Sequence, residues 1–405
     1  MQLGWIDFSK EDRKKVLSVI DLLSEDGTLD ELGIAPIRDG FADLFFPGTS
    51  TIQTRAKYFL IVPYALDSLS RQADMSGDKM LRKLDDIERQ CAKILVDENA
   101  DGAIGRRTIL SGGWVKRPPS AIYWAGIRRY GIFTQGKMSL TEYAKISGIM
   151  KKSKQDIKKM GSRNDDADEH SSDDADAGAL FSTTFWNWSP SLLGRTNDLS
   201  WIDSLTMKLD PDEAMFLKSQ IEFTQKDSLF AYILENNLSN IAEMDSFIDF
   251  CDSNIIRTFP AQLQNDVLMA YEFSRFIAGV FARYNIVVSN GKNKDANKIW
   301  EMYQRNIPEN TSLDIDAIRN RLRINNPGLI QFIKTIRKHL ISGDTSALDE
   351  CIRKREEHLK GPARAKMNHP RESDDDKWVG NVWLEYRFGN AMTIARDIFD
   401  GLEAV

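Results

Sequence analysis

The sequence predicts a mainly α protein of two helical domains, and three observations carry the prediction. Apolar residues recur at three- and four-residue spacing, while the two-residue alternation of a half-buried strand is scarce. Helix-start signatures recur as well: Ser50 with Gln53, Ser139 with Glu142, and Asp210-Pro211 with Glu213. Between them lies GSRNDDADEHSSDDADAG, a polar run without large apolar residues that cannot bury enough surface to order itself. The expected division is a helical domain with a basic surface at 1–150, a flexible charged linker at 151–180 and a helical domain at 181–405.

In chain order, Ser9 with Asp12 opens a helix whose stripe is Val16, Val19, Ile20 and Leu23. A turn-rich segment, GTLDELGIAPIRDGFADLFFPG, follows. Phe45 to Leu66 is the most distinctive stretch. Pro47-Gly48 makes a turn, Ser50 starts a helix, polar residues through Lys57 fill its first turns, and Pro63 kinks it near Phe59. A helix N-terminus carries partial positive charge and free N–H groups, so Arg55 and Lys57 there suggest an anion site, against a core helix whose arginine pairs with a buried carboxylate.

A second helix spans about Lys79 to Val96, with Leu81, Leu84, Ile87, Cys91, Ile94 and Leu95 inward. DGAIGRR (Asp101–Arg107) and SGGWVKRPP (Ser111–Pro119) are loops. A compact helix from Pro119 or Ser120 is stopped by Gly131, and another runs from Ser139 to Gly148. Two short helices joined by a Gly-containing turn fit a helix-turn-helix or winged-helix-like element, or an ordinary helical hairpin. Beyond the linker, FSTTFWNWSPSL begins the second core. Helices are expected at Asp210–Ile221, Ser228–Leu234, Val267–Val288, Lys298–Gln304, Leu329–Leu340, Thr345–Leu359 and Trp378–Leu402.

Charge is segregated. Ala103 to Arg163 holds fourteen Lys and Arg against two acids, Glu142 and Asp156, a net of +12. Asn164 to Ala177 holds seven acids and no Lys or Arg. With a whole-chain net of −6, the remainder carries −11. Local charge governs attraction to phosphates, because screening acts over about 8–10 Å. Arg106, Arg107, Lys116, Arg117, Arg128 and Arg129 form three cationic doublets beside glycines or aromatics, with Trp114, Tyr123, Trp124 and Tyr130 interleaved. Cations bind phosphate and aromatics stack on unpaired bases; the competing reading is a solvated basic face. Arg55 and Lys57 are second-rank candidates. The acidic run is read as a spacer, with a shield over the basic block as the alternative.

No sequence pattern names a reaction. GxxxxGK[ST], GxGxxG after a strand, HExxH and GxSxG are absent. Cys91, Cys251 and Cys351 are too scattered for a short-spaced metal site, and so are His170, His339, His358 and His369. Glu385 with Arg387 is expected to be a buried structural pair. No cofactor or metal is expected. Dispersed thiols and the absence of a signal or spanning segment lead to a cytoplasmic expectation.

GWIDFS (4–9), GTLDELGI (27–34), FPGTSTIQTRAKYFLIVPY (46–64) and RPPSAIYWAGIRRYGIF (117–133) resemble a bacterial family of unknown function. DPDEAMFL (210–217) and EYRFGNAMTIARDI (385–398) extend the resemblance. It implies a setting among mobile-element and anti-phage defence genes, near helicases or nucleases, and carries no catalytic residues. The expectation is therefore a non-catalytic accessory subunit that binds DNA, ahead of RNA, through the basic surface and docks a partner protein. The alternatives are an adaptor without nucleic acid and a metal-dependent nuclease.

Overall fold

The computed structural model describes residues 30–72, 75–161, 185–370, 378–380 and 382–404, with side chains described to residue 153 in the helix that ends at 161. The expected helix after Ser9 and the acidic run Asn164–Ala177 with His170 lie outside these residues. The described regular structure is helical. In order come α1 (Ala35–Phe45), α2 (Tyr58–Arg71), α3 (Gly77–Asp97), α4 (Arg106–Leu110), α5 (Pro119–Arg129) and α6 (Leu140–Gly161). Next are α7 (Pro211–Thr224), α8 (Leu229–Glu235), α9 (Ser239–Ala242), α10 (Phe247–Asp252), α11 (Ala261–Val288) and α12 (Lys294–Gln304). The last are α13 (Ile307–Asn310), α14 (Ile315–Arg321), α15 (Pro327–Ser342), α16 (Thr345–Lys360) and α17 (Phe388–Glu403). Among the described residues there is no strand, and Phe133 and Trp186 form an isolated antiparallel bridge. No described helix is long and apolar enough to cross a membrane.

The chain's contacts group into two compact units, 42–250 with 387–405, and 1–41 with 251–386. Residues on either side of the expected 151–180 linker, α6 and Trp186, belong to the same unit.

In the first of these units α2 is the centre. Every residue from Tyr58 to Leu69 is buried, so its apolar body is surrounded rather than one-faced. α3 and α5 pack on α2, and α6 packs along α3. The two helices of the expected helix-turn-helix thus lean on different partners. Ser139 and Glu142 make the expected capping box: Ser139 N–H donates to Glu142 Oε2 at 2.7 Å and Glu142 N–H to Ser139 Oγ at 3.2 Å. The helix then runs through Gly148 instead of ending there. Gly148 serves close packing, since a Cβ at that position would sit 2.8 Å from the Gly77 nitrogen. Trp124, Phe133, Tyr143, Phe185 and Trp186 form an aromatic cluster beneath α5 and α6, as the core reading of the FWNW segment requires.

The Ser50 helix start is corrected. The helix begins at Tyr58, because the amides before it are taken by distant side chains. Ser50 N–H donates to Gln53 Oε1 in a turn, Thr54 N–H to Tyr123 Oη at 2.8 Å, and Ala56 N–H to Asp397 Oδ2 at 2.8 Å. The backbone is satisfied without forming helix.

In the other unit α11 is buried on most sides, as its near-continuous apolar sequence predicts. The expected Trp378–Leu402 helix is also corrected: α17 starts at Phe388. Val379 and Leu384 instead bond to α11, Val379 N–H donating to Asn285 Oδ1 at 2.7 Å and Leu384 N–H to Ser274 Oγ at 2.9 Å. Tyr386 and Arg387 adopt φ of 47° and 68°, a left-handed corner that no continuous helix contains.

Gly126 in α5 faces the Gly48 turn, and a Cβ there would lie 2.4 Å from the Gly48 carbonyl oxygen and 2.6 Å from the Phe59 ring. Backbone and a buried ring cannot yield cheaply. Gly126→Ala is expected to lower stability by about 1–3 kcal/mol, typical of overpacking, measured by urea denaturation.

Candidate nucleic-acid interface

The cationic segment is a loop pair held from below by the 54–58 stretch. Ile104 N–H donates to Tyr58 Oη at 2.9 Å, Thr54 Oγ1–H to Gly102 O at 2.7 Å, and Arg55 Nη1 to Asp101 O at 2.9 Å. Gly105, at φ 75°, closes against Val115; a Cβ there would meet Val115 Cγ1 at 2.0 Å, so only glycine lets the two loops approach. Between them α4 rises to a tip at Gly112, whose absent Cβ points into open space.

Arg107, Lys116 and Arg117 are exposed on this loop pair. Arg107 and Arg117 make no ion pair among the described residues. Arg106 is half-buried and donates to Asn99 Oδ1. Trp114 is pinned from both directions: its Nε1–H donates to Asp85 Oδ1 at 2.9 Å, and the Arg89 guanidinium lies 4.8 Å above its ring.

The third doublet is elsewhere. α5 rises about 15 Å from Pro119 to Arg129, so Arg128 and Arg129 stand at its far end. Arg128 is half-buried with Nη1 donating to Met138 O at 3.3 Å. Arg129 is exposed, yet its Nε donates to Gln225 Oε1 at 2.9 Å while Gln225 Nε2 returns a bond to Arg129 O at 2.7 Å. Of the six candidates, Arg107, Lys116 and Arg117 are exposed on the loop pair, while Arg106, Arg128 and Arg129 are engaged with the fold. The interleaved aromatics are corrected too. Tyr123 and Tyr130 are 0% exposed and Trp124 is 7% exposed, so none of the three offers a face for stacking.

Arg55 and Lys57 do not form an open anion site, because the protein's own carboxylates fill it. Asp397 takes the Arg55 guanidinium at 2.7 Å and the Ala56 N–H besides. This hydrogen bond raises the Arg55 pKa above its ordinary value. Lys57, buried, lies 2.6 Å from Glu213 Oε2. Glu213 also accepts from Tyr64 Oη at 3.3 Å and from Asp210 N–H at 3.0 Å. Arg387 pairs with Asp43 and donates to Thr49 O, and the expected Glu385 pairing is replaced by this one.

At the N-terminus of α5, Glu88 is 2% exposed and accepts from Ser120 N–H at 2.5 Å and Ser120 Oγ–H at 3.1 Å. Burial pushes its pKa up to about 7 against the opposing pull of those bonds. Burial also raises the Cys91 thiol to about 12, the reverse of what a nucleophile needs. Among the described residues no group of three or more His, Cys, Asp or Glu is placed to hold a metal ion. One exposed feature escaped the sequence reading: Leu110, 68% exposed at the end of α4. Its neighbours Ser111, Gly112 and Gly113 were the available signal, since small residues follow it directly.

Two predictions follow from these buried carboxylates. Asp397→Asn leaves Arg55 without a countercharge and is expected to cost about 3 kcal/mol by denaturation, at the low end for a buried pair because Arg55 keeps some solvent contact. Glu88 has a raised folded-state pKa, so between about 4.5 and 7 the folded chain holds a proton that the unfolded chain releases. Its stabilising share is present below about 4.5 and is lost as pH rises through about 7. Glu88→Gln keeps an acceptor for Ser120 and removes that loss. The stability difference between the variant and the parent should move in the variant's favour from pH 5 to pH 8, and a difference independent of pH would refute the assignment.

Residues 1–164 match the sequence model of a family of unknown function, DUF6361. The matched span includes α1 to α6 and both cationic loops, and it ends before Asp210, Glu213 and Asp397. No curated protein and no solved structure matches the chain.

Proposed function

We propose that the face made by residues 106–117 binds nucleic-acid phosphates. In this reading the chain is a non-catalytic accessory subunit of a bacterial defence complex, the setting its sequence resemblance implies. The observation that supports it is the exposure of Arg107 and Arg117 without ion pairs, beside the exposed Lys116, on loops fixed by internal hydrogen bonds. Cations held ready at a surface lose little freedom on binding phosphate. The chain's overall negative charge does not oppose this, because distant acids are screened.

A partner-docking role is supported by α7. Phe223 is 84% exposed and Met215 is 54% exposed, two turns apart on one face. Beside Met215 runs a groove of about 200 Å³ lined by Asn187, Trp188, Asp212, Phe216 and Gln220. Together with the groove, Phe223 and Met215 give α7 an apolar patch of the kind that interaction surfaces present. Purification from the native operon tests this part: Phe223→Ser should release a co-purifying protein while leaving nucleic-acid binding unchanged.

If about three phosphates are neutralised, log affinity for duplex DNA should fall against log salt with a slope near −3. The double variant Arg107→Ala with Arg117→Ala should weaken that slope by about 2 and leave the melting temperature unchanged. Affinity indifferent to salt would eliminate the reading, and absence of binding at low salt would leave the adaptor role.

A further inference from the structure

We propose that the 106–117 loop enters the minor groove of duplex DNA, with Leu110 as an apolar wedge at a base step and Arg107, Lys116 and Arg117 on the flanking phosphates. This rests on the phosphate-binding reading and specifies its ligand.

Four features of the loop point to this ligand. The aromatics that would stack unpaired bases are unavailable: Tyr123, Trp124 and Tyr130 are buried, and Trp114 is clamped between Asp85 and Arg89. Single-strand binders depend on such stacking faces. A major-groove reader needs several long polar side chains along one exposed helix face. α5 offers Ala121, Ala125 and Arg129 at its exposed positions, and the exposed face of α6 mixes Glu142, Lys145 and Lys152 with the apolar Ile146 and Ile149. α4 has five residues and is too short to read base edges along a groove. What the loop does present is one aliphatic side chain, 68% exposed, on a tip followed by Ser111-Gly112-Gly113 and bracketed by cations. Small residues behind Leu110 let the tip approach the floor of a groove about 6 Å wide. Proteins that bend DNA from the minor groove insert single aliphatic wedges of this kind, with cations on the adjoining backbone. The phosphates supply the complementary charge. Asp101, Glu98 and Asp97, all exposed, are the nearest acids along the chain, and Asp85 lies beside Trp114. Asp85 is engaged by Arg89 and Trp114, and Asp101 contributes its carbonyl to Arg55. A lone leucine is too little apolar surface to anchor the chain on a membrane, where even a myristoyl chain gives marginal binding.

The test uses the full chain with three ligands at equal salt: a duplex of about two helical turns labelled at both ends, one of its strands alone, and anionic phospholipid vesicles. The parent should bind the duplex at least tenfold more tightly than the strand, with an end-to-end energy-transfer change that reports bending. Leu110→Ala should weaken duplex binding roughly tenfold, as loss of a buried leucine side chain would. It should also abolish the bend while leaving the salt slope and the thermal melt at parental values. Equal affinity for single strand and duplex, a Leu110→Ala affinity within twofold of the parent, or sedimentation with vesicles would each overturn the wedge while leaving phosphate binding standing. A parent chain that binds none of the three would remove both.

Discussion

Two carboxylates far along the chain set the conformation on which the candidate interface stands. Asp397 and Glu213 reach the 55–57 stretch and neutralise the half-buried Arg55 and the buried Lys57. Such pairs contribute little net stability against hydrophobic alternatives, because desolvation offsets much of the attraction. Their effect is on arrangement. Each carboxylate also accepts a backbone N–H, Asp397 from Ala56 and Glu213 from Asp210. With Tyr123 Oη holding Thr54 and Arg55, the polar segment ahead of α2 is fixed in a non-helical path.

That path reaches the surface. The Arg55 guanidinium bonds Asp397 on one side and the Asp101 carbonyl on the other, and Thr54 holds Gly102. The loop carrying the exposed cations is therefore tied to a buried ion pair two bonds away. Gly105 and Val115 close its base, and Trp114 wedges between Asp85 and Arg89 at its side. Order in the loop is inherited from the core. Both carboxylates, Glu213 and Asp397, lie beyond residues 1–164, the span that matches the family model.

Helix type and core faces were legible from the sequence wherever one local rule decided them. Ser139-Glu142 and Asp210-Pro211-Glu213 made capping boxes because those bonds need only three residues of chain. Tyr123, Ile127 and Tyr130 turned inward because spacing alone puts them on one face. The errors came where tertiary partners outbid local propensity. Ser50 and Gln53 carry the same signature as Ser139 and Glu142, yet Tyr123 and Asp397 take the amides that a helix needs. Trp378 to Arg387 has a helical apolar pattern, yet Asn285 and Ser274 of α11 capture its backbone. Nothing within ten residues of either segment announces these partners.

The interface shows the same limit in electrostatic form. A count of Lys and Arg cannot tell which cations face water, since burial decides that and burial depends on the whole fold. A cation taken out of water must find a carboxylate, so those set against the apolar body of α2 become structural. A cation on a glycine-flanked loop has no such requirement and keeps its charge for an external partner. Arg55 and Lys57 fall in the first class, Arg107 and Arg117 in the second, and their sequence surroundings differ in the way this rule demands. The former adjoin Tyr58–Leu69, buried throughout, while the latter lie on a segment that Gly105, Gly112, Gly113, Pro118 and Pro119 break into apolar pieces of two residues. Arg106, with the same sequence surroundings as Arg107, is half-buried against Asn99, so the fold decides between even adjacent cations.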